Sequence, residues 1–193
     1  MFGFNKKSPM IDGPVEFTAD VEIDRPAAEV FPLIDLASPR FKDAQMGAKV
    51  SPVENSADVY ALRLDEMDDV VFRLTVMERV ENERHAFEAV IEPKINALVK
   101  SVETHVIEPL GEKACRVTLT TAATFDEDLS DEEITSEIAI MNQAVMGDMD
   151  KLKTLAEDGV DAAMALQPAE MEFDIEFDLG DLDIDWNDIE PQQ

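Results

Sequence analysis

Residues 46–125 most constrain what this chain can fold into. No helical period of useful length runs through them. The stretch divides instead at ENSAD, EMDD, ENER, EPKIN and EPLGEK into runs where apolar and polar residues alternate. Alternation with a period of two marks a strand with one buried face, because successive side chains leave the backbone on opposite sides. The spacing predicts six strands, near 48–53, 58–65, 70–80, 85–92, 98–108 and 114–125. Their connections are shorter than the dozen or so residues a parallel crossover needs, so neighbouring strands must run antiparallel. The centre of the chain is an antiparallel meander.

A seventh strand precedes it. In VEFTADVEID, residues 15–24, Val15, Phe17, Ala19, Val21 and Ile23 fall on one side and Glu16, Thr18, Asp20, Glu22 and Asp24 on the other. Asp24 is placed to cap a following helix, whose apolar stripe is Val30, Phe31, Leu33 and Ile34. Pro32 lacks a backbone donor and is expected to shorten or kink that helix. Ser38 followed by Pro39 reads as the start of a second short helix.

Beyond the meander, helical spacing returns at residues 129–159. Ile134, Ile138, Met141, Val145, Met149, Leu152 and Ala156 recur at steps of three and four. Ser130 and Glu133 stand at capping-box spacing, and Gly159 offers a stop. A helix of that length reaches about 42 Å, enough to cross a sheet diagonally. VDAAMALQPAE, from residue 160, has no strong period and reads as a linker. The expected organisation is an N-terminal extension over 1–13, one domain over 14–160 and an acidic C-terminal tail over 161–193.

Charge and composition narrow the function. Sixteen basic residues stand against 44 acidic ones, and a formal charge of −28 repels phosphate backbones and anionic headgroups, so no nucleic-acid partner is expected. A saline habitat, plain solubility or a basic protein partner would each account for the acidity. Aromatics make up only 6% of the chain, so the core must be mostly aliphatic. A single cysteine, Cys115, allows no internal disulfide and fits a reducing compartment. MFGFNKKSPMIDG has no apolar core of a signal peptide, and no uncharged run of about 18 apolar residues occurs. The expectation is a soluble cytoplasmic protein without membrane insertion. With two histidines twenty residues apart, no zinc constellation is visible, and neither a nucleophile elbow nor a phosphate-cradling glycine loop appears. No cofactor or metal is expected.

One strand, two small helices, a six-stranded meander and a long C-terminal helix is an order that resembles the START-like superfamily, also called SRPBCC. The residues that carry the resemblance are VEIDRPAAEVFPLIDL at 21–36 and the amphipathic helix at 130–158. The likeness covers roughly residues 14–160. Its motifs are few, because the superfamily is held together by fold; the Trp often found where Phe31 stands is missing, and Pro32 is unusual there. The resemblance implies an α+β helix-grip fold, with a curved antiparallel sheet of six to seven strands wrapped around the last helix. It also implies a cavity between sheet and helix that takes a small hydrophobic ligand such as a lipid, an isoprenoid or a polyketide-like molecule. On that geometry the candidate lining is Phe72, Phe87 and Leu119 from the strands and Met141, Val145 and Met149 from the helix. Some members act as polyketide cyclases or dehydratases, and others as co-chaperones.

Candidate chemistry is sparse. In SVETHVIE one strand face reads Val99, Ser101, Glu103, His105 and Ile107. Facing inward, Glu103 and His105 would form an acid/base or ligand-orienting pair in an apolar cavity. The simpler reading, preferred from residue statistics alone, is a solvated outer face. His85, just after ENER, reads as a surface histidine near a turn, and Cys115 as a small buried hydrophobe. Met141, Met146 and Met149 suit either an adaptable cavity wall or ordinary core packing.

The tail segment MEFDIEFDLGDLDIDW, 171–186, alternates apolar and acidic residues. Extended, it would show Met171, Phe173, Ile175, Phe177 and Leu179 on one side with carboxylates opposite, a pattern suited to docking on a basic, apolar-lined protein partner. Its aspartates do not make a calcium loop, because Trp186 and Gln192 stand where glycine and glutamate are required. Three functions follow as expectations: binding, transport or sensing of a small hydrophobic ligand; a polyketide-cyclase-like enzyme in the same cavity using Glu103 or His105; and an acidic co-chaperone or adaptor.

Overall fold

The computed structural model describes residues 13–65, 67 and 69–166. The N-terminal extension lies almost entirely outside the described residues, as does the tail segment 171–186. Eleven elements follow in chain order: β1 (Val15–Ile23), α1 (Ala27–Ile34), α2 (Lys42–Gln45), β2 (Lys49–Pro52), β3 (Val59–Arg63), β4 (Val71–Val80), β5 (Arg84–Glu92), β6 (Leu98–Pro109), β7 (Cys115–Phe125), α3 (Asp131–Asp158) and α4 (Val160–Ala165). The strands form one sheet of order β1-β7-β6-β5-β4-β3-β2, antiparallel at every pairing. The meander is present as the short connections require, and β1 closes it by pairing with the last strand.

Two register breaks help to bend the sheet. One lies between Val76 and Glu78 where β4 meets β5, and the other between Leu98 and Lys100 where β6 meets β7. An extra residue on one strand kinks it and increases its local twist. Along β7 buried and half-buried residues alternate from Cys115 to Phe125 without interruption, so this strand is covered on its concave face along its full length.

The long helix begins with the capping box expected from sequence. The Ser130 backbone N–H donates to Glu133 Oε2 at 2.9 Å, and the Glu133 N–H donates to Ser130 Oγ at 3.3 Å. Its other end is tied to the start of the domain. Glu157 Oε1 accepts from the Asp24 N–H at 2.7 Å, and Arg25 Nη2 donates to the Glu157 carbonyl at 2.9 Å. Helix α3 packs chiefly on β1, with lesser contact to β7, α1 and α4. It therefore covers one end of the sheet rather than crossing it. Beneath it lies the larger core, with Ile23, Val30, Leu119, Ile134, Met149 and Leu152 all essentially fully buried. A second cluster, Leu36, Phe41, Leu62, Leu74 and Phe87, lies toward the β2–β5 end.

Three local expectations are corrected. Asp24 does not cap α1: the helix starts after Pro26 with no side-chain cap, because the Asp24 backbone is held by Glu157 on α3. Ser38 Oγ does accept from the Arg40 N–H at 3.0 Å, but only a turn forms there, and the helix begins at Lys42. Residues 160–165, read as linker, form α4, with Ala163 buried in the main core. Gly159 separates the two helices at φ 92°, a left-handed backbone that glycine adopts without a Cβ clash. Among the described residues no helix is long and apolar enough to cross a membrane.

Candidate functional site

Because α3 sits over β1 and β7, the concave face of β3 to β6 is left partly uncovered. A cavity of about 550 Å³ occupies that space. Its floor is the sheet: Leu62, Phe72, Leu74, Phe87, Ala89, Glu103, His105, Leu119 and Thr121. Met141, Ala144, Val145, Asp148 and Lys151 of α3 form one wall, and Phe41, Lys42, Asp43 and Met46 in and around α2 form another. Met164 and Leu166, both exposed, stand at the edge where the described chain ends.

The polar groups on the floor are placed by strand register. On β6, Ser101, Glu103, His105 and Ile107 share the concave face, so the outer-face reading of Glu103 and His105 is overturned. Glu103 pairs across to Phe87 on β5 and Thr121 on β7, while His105 pairs to His85 and Leu119. His85 is also corrected: it is fully buried and not at the surface, because the inward set of β5 is His85, Phe87 and Ala89. An aromatic column results. The Phe87 and His105 rings stack with centroids 6.4 Å apart and planes at 22°, His85 lies 5.8 Å from Phe87, and Phe31 packs edge-on to His85.

Burial sets the protonation of this column. His105 is pushed down to about 3, first by desolvation and then by the charge of Lys42 and the proximity of His85, with Asp43 opposing. It is a neutral imidazole at any physiological pH. His85 is also lowered, by desolvation; Asp35, with Oδ1 3.8 Å from His85 Nε2, opposes this, and Arg79 adds to it. Both ring nitrogens of each histidine, together with Thr121 Oγ1, are buried without a hydrogen-bond partner among the described residues. Glu103 is pushed up to about 8, by desolvation first and by the carboxylates of Asp148 and Asp43, with Lys42 pulling the other way. At neutral pH it carries its proton.

Sequence reading missed the charged part of this wall. Lys42, on the short α2, is 5% exposed and donates to Asp148 Oδ1 at 2.5 Å and to Asp43 Oδ1 at 3.0 Å. Desolvation alone would lower the Lys42 pKa, but the two carboxylates override it and hold the ammonium charged. Asp148 lies seven residues after Met141, which puts it on the cavity face of α3 and is a signal the period contained. Lys42 gave no such signal, since its partner is 106 residues away.

Of the sequence-predicted lining residues, Phe72, Phe87, Leu119, Met141 and Val145 stand in the cavity wall. Met149 packs in the core beneath α3, and Met146 is 51% exposed, so neither lines the cavity. Cys115 is fully buried, and desolvation raises its thiol pKa. Among the described residues no three His, Cys, Asp or Glu side chains stand together as metal ligands.

No family model matches this chain, and neither does any curated protein sequence. Solved structures do. The di-domain ARO/CYC BexL from the BE-7585A biosynthetic pathway superposes with a TM-score of 0.60 at 17% identity, over 72% of this chain and 45% of BexL. DynU16, a protein of the dynemicin biosynthetic locus, gives a TM-score of 0.55 at 16% identity, over 75% of this chain and 48% of DynU16. The Aha1 dimer from Colwellia psychrerythraea gives 0.51 at 11% identity, over 75% of this chain and 98% of that one. This chain spans about half the length of the first two. At these identities the likeness is one of fold, and the fold is an α+β helix-grip fold.

Proposed function

We propose that this protein binds a small, mainly apolar molecule in the cavity between its sheet and α3. The observation that carries the reading is the cavity itself. At about 550 Å³ it lies within the 300–1,000 Å³ typical of small-molecule sites, with an apolar floor and a few convergent polar groups. A site of this kind gains affinity from burial of apolar surface and selectivity from its polar groups.

The test uses the full chain. Native mass spectrometry of the purified protein should show a co-purified small mass, and the neutral dye Nile red should bind saturably with enhanced fluorescence. Ala89→Trp places an indole on the cavity floor without removing a core side chain, so it should abolish dye binding while leaving the fold intact by circular dichroism. Dye binding that is absent in the parent, or unchanged in the variant, would refute the reading.

A second reading, a cyclase-type enzyme working in the same space, is favoured by one specific arrangement. Glu103, which holds a proton at neutral pH, and the neutral imidazole of His105 alternate on β6 and both stand in the cavity wall. A carboxyl that holds its proton suits donation to a substrate carbonyl oxygen during enolisation, whereas the His105 nitrogens, buried and with their pKa held near 3, take no part as a base. A polyketide-like molecule, the class the superfamily resemblance implies, is the first substrate to try. Turnover should fall about a hundredfold or more in Glu103→Gln if the carboxyl transfers the proton. Equal turnover in parent and variant rejects that role.

A further inference from the structure

We propose that the exposed face of α3 docks on the same face of a second copy of this chain, the two helices running antiparallel about Ala144. The inference concerns an interface and does not depend on what the cavity binds.

The middle of α3 is unlike the rest of the molecule. Residues 138–147, IAIMNQAVMG, carry no charge, in a helix whose two ends are dense in carboxylates and lysines and in a chain of formal charge −28. Val145 turns into the core, but Ile140 is 54% exposed and Ala144 is exposed as well. Apolar side chains scattered singly over a surface need no explanation. A band free of charge on so acidic a chain does, because there two copies can meet without forcing carboxylates together.

Gly147 belongs to the same band. Glycine inside a helix is unfavourable relative to alanine, yet nothing in the described chain requires it: a Cβ built on Gly147 would meet nothing within 4 Å. A glycine with open space before it lets another chain approach closely.

Charge then fixes the partner and its direction. Glu137, Ile140, Ala144, Gly147 and Lys151 recur at alternating steps of three and four and so form one stripe along α3. Glu137 and Lys151 lie about 21 Å apart along the axis, too far to pair with each other, and neither side chain has a partner among the described residues. The two are equally distant from Ala144. A second α3 turned end for end about that residue therefore sets Lys151 opposite Glu137 twice and lays Ile140 near Gly147 of the copy. A parallel pair would oppose Glu137 to Glu137 and Lys151 to Lys151, which is repulsive. One helix face is small beside the roughly 800 Å² per partner of a stable complex, so the association should be weak.

The test is the mass of the full chain in solution by sedimentation equilibrium. It spans about 0.01 to 1 mM protein at about 0.5 M potassium chloride, where repulsion between two acidic chains is screened but a close ion pair much less so. The parent should pass from 21.5 kDa to twice that mass as concentration rises. Ile140→Glu, checked for folding by circular dichroism, should remain a monomer throughout. Glu137→Lys and Lys151→Glu should each weaken association at least about tenfold by opposing like charges. The two together should return it to within about threefold of the parent, because the pair is restored with its signs exchanged. A parent that stays monomeric overturns the proposal. So does a dimer that Ile140→Glu leaves intact, a double reversal no tighter than either single one, or a mass that grows past two chains.

Discussion

Glu103 and His105 stand two residues apart on one strand, yet burial drives their proton affinities in opposite directions, and this fixes how stability must depend on pH. In the unfolded chain they titrate near 4.5 and 6.5; in the fold they are held near 8 and 3. The folded Glu103 keeps a proton the unfolded chain has released, so its contribution is complete below pH 4.5 and is lost as pH rises through 8. His105 works the other way, losing stability as pH falls from 6.5 toward 3. Between 4.5 and 6.5 the two slopes oppose each other, and from 6.5 to 8 that of Glu103 is unopposed. Urea denaturation should therefore show stability falling between pH 6.5 and 8, with the fall removed by Glu103→Gln; parallel profiles for parent and variant would contradict the assignment. At the neighbouring ion pair, Lys42→Ala leaves the part-buried Asp148 carboxylate without its counter-charge and should cost about 2 kcal/mol. Adding Asp148→Asn should return part of that loss, because an amide needs no counter-charge.

At the scale of elements, α3 illustrates what the sequence can and cannot convey. Its start, its length and its capping box follow from local pattern, since Ser130 and Glu133 are three residues apart and the bonds they make are with each other. Ser130→Ala should accordingly cost about 1 kcal/mol in thermal denaturation. Its far end could not be read in this way. Glu157 holds the backbone of Asp24 across 133 residues, so the expected cap on α1 was displaced by a contact no local pattern encodes. Glu157→Ala releases the start of the domain from its last long helix and should destabilise more than Ser130→Ala; the reverse order would show that this tie carries little. The strands were legible for the same reason as the capping box. Alternation in β6 separated Glu103 and His105 from Val102 and Thr104, but only the position of α3 decided which set faces the cavity. His85 was misjudged because the turn before it outweighed the alternation it begins with Phe87 and Ala89. Lys42 and Asp148, the charged heart of the wall, meet only in the folded chain.

For the molecule as a whole, the governing quantity is a charge of −28 on 193 residues. Repulsion at that density opposes compaction, and mobile ions screen it over about 10 Å at 0.1 M salt and about 3 Å at 1 M. The melting temperature should rise as potassium chloride is increased from 0.05 to 0.5 M, in contrast to a protein held by surface ion pairs, which salt would weaken. The acids are not evenly spread: residues 167–193 contain ten of the 44 and none of the 16 basic residues. Leu166 ends the described chain just after α4, and Ala163 of that helix is buried in the main core. A chain ending at Leu166 thus keeps every described element and the cavity edge formed by Met164 and Leu166, while shedding about a third of the net charge. If residues 14–166 are the folding unit, that shortened chain should melt within a few degrees of the parent at 0.5 M salt and respond less steeply to dilution. Nile red affinity should be unchanged. A large loss of stability at high salt would mean that the removed residues contribute to packing and that the domain extends past α4. A change in dye affinity alone would place part of them over the cavity.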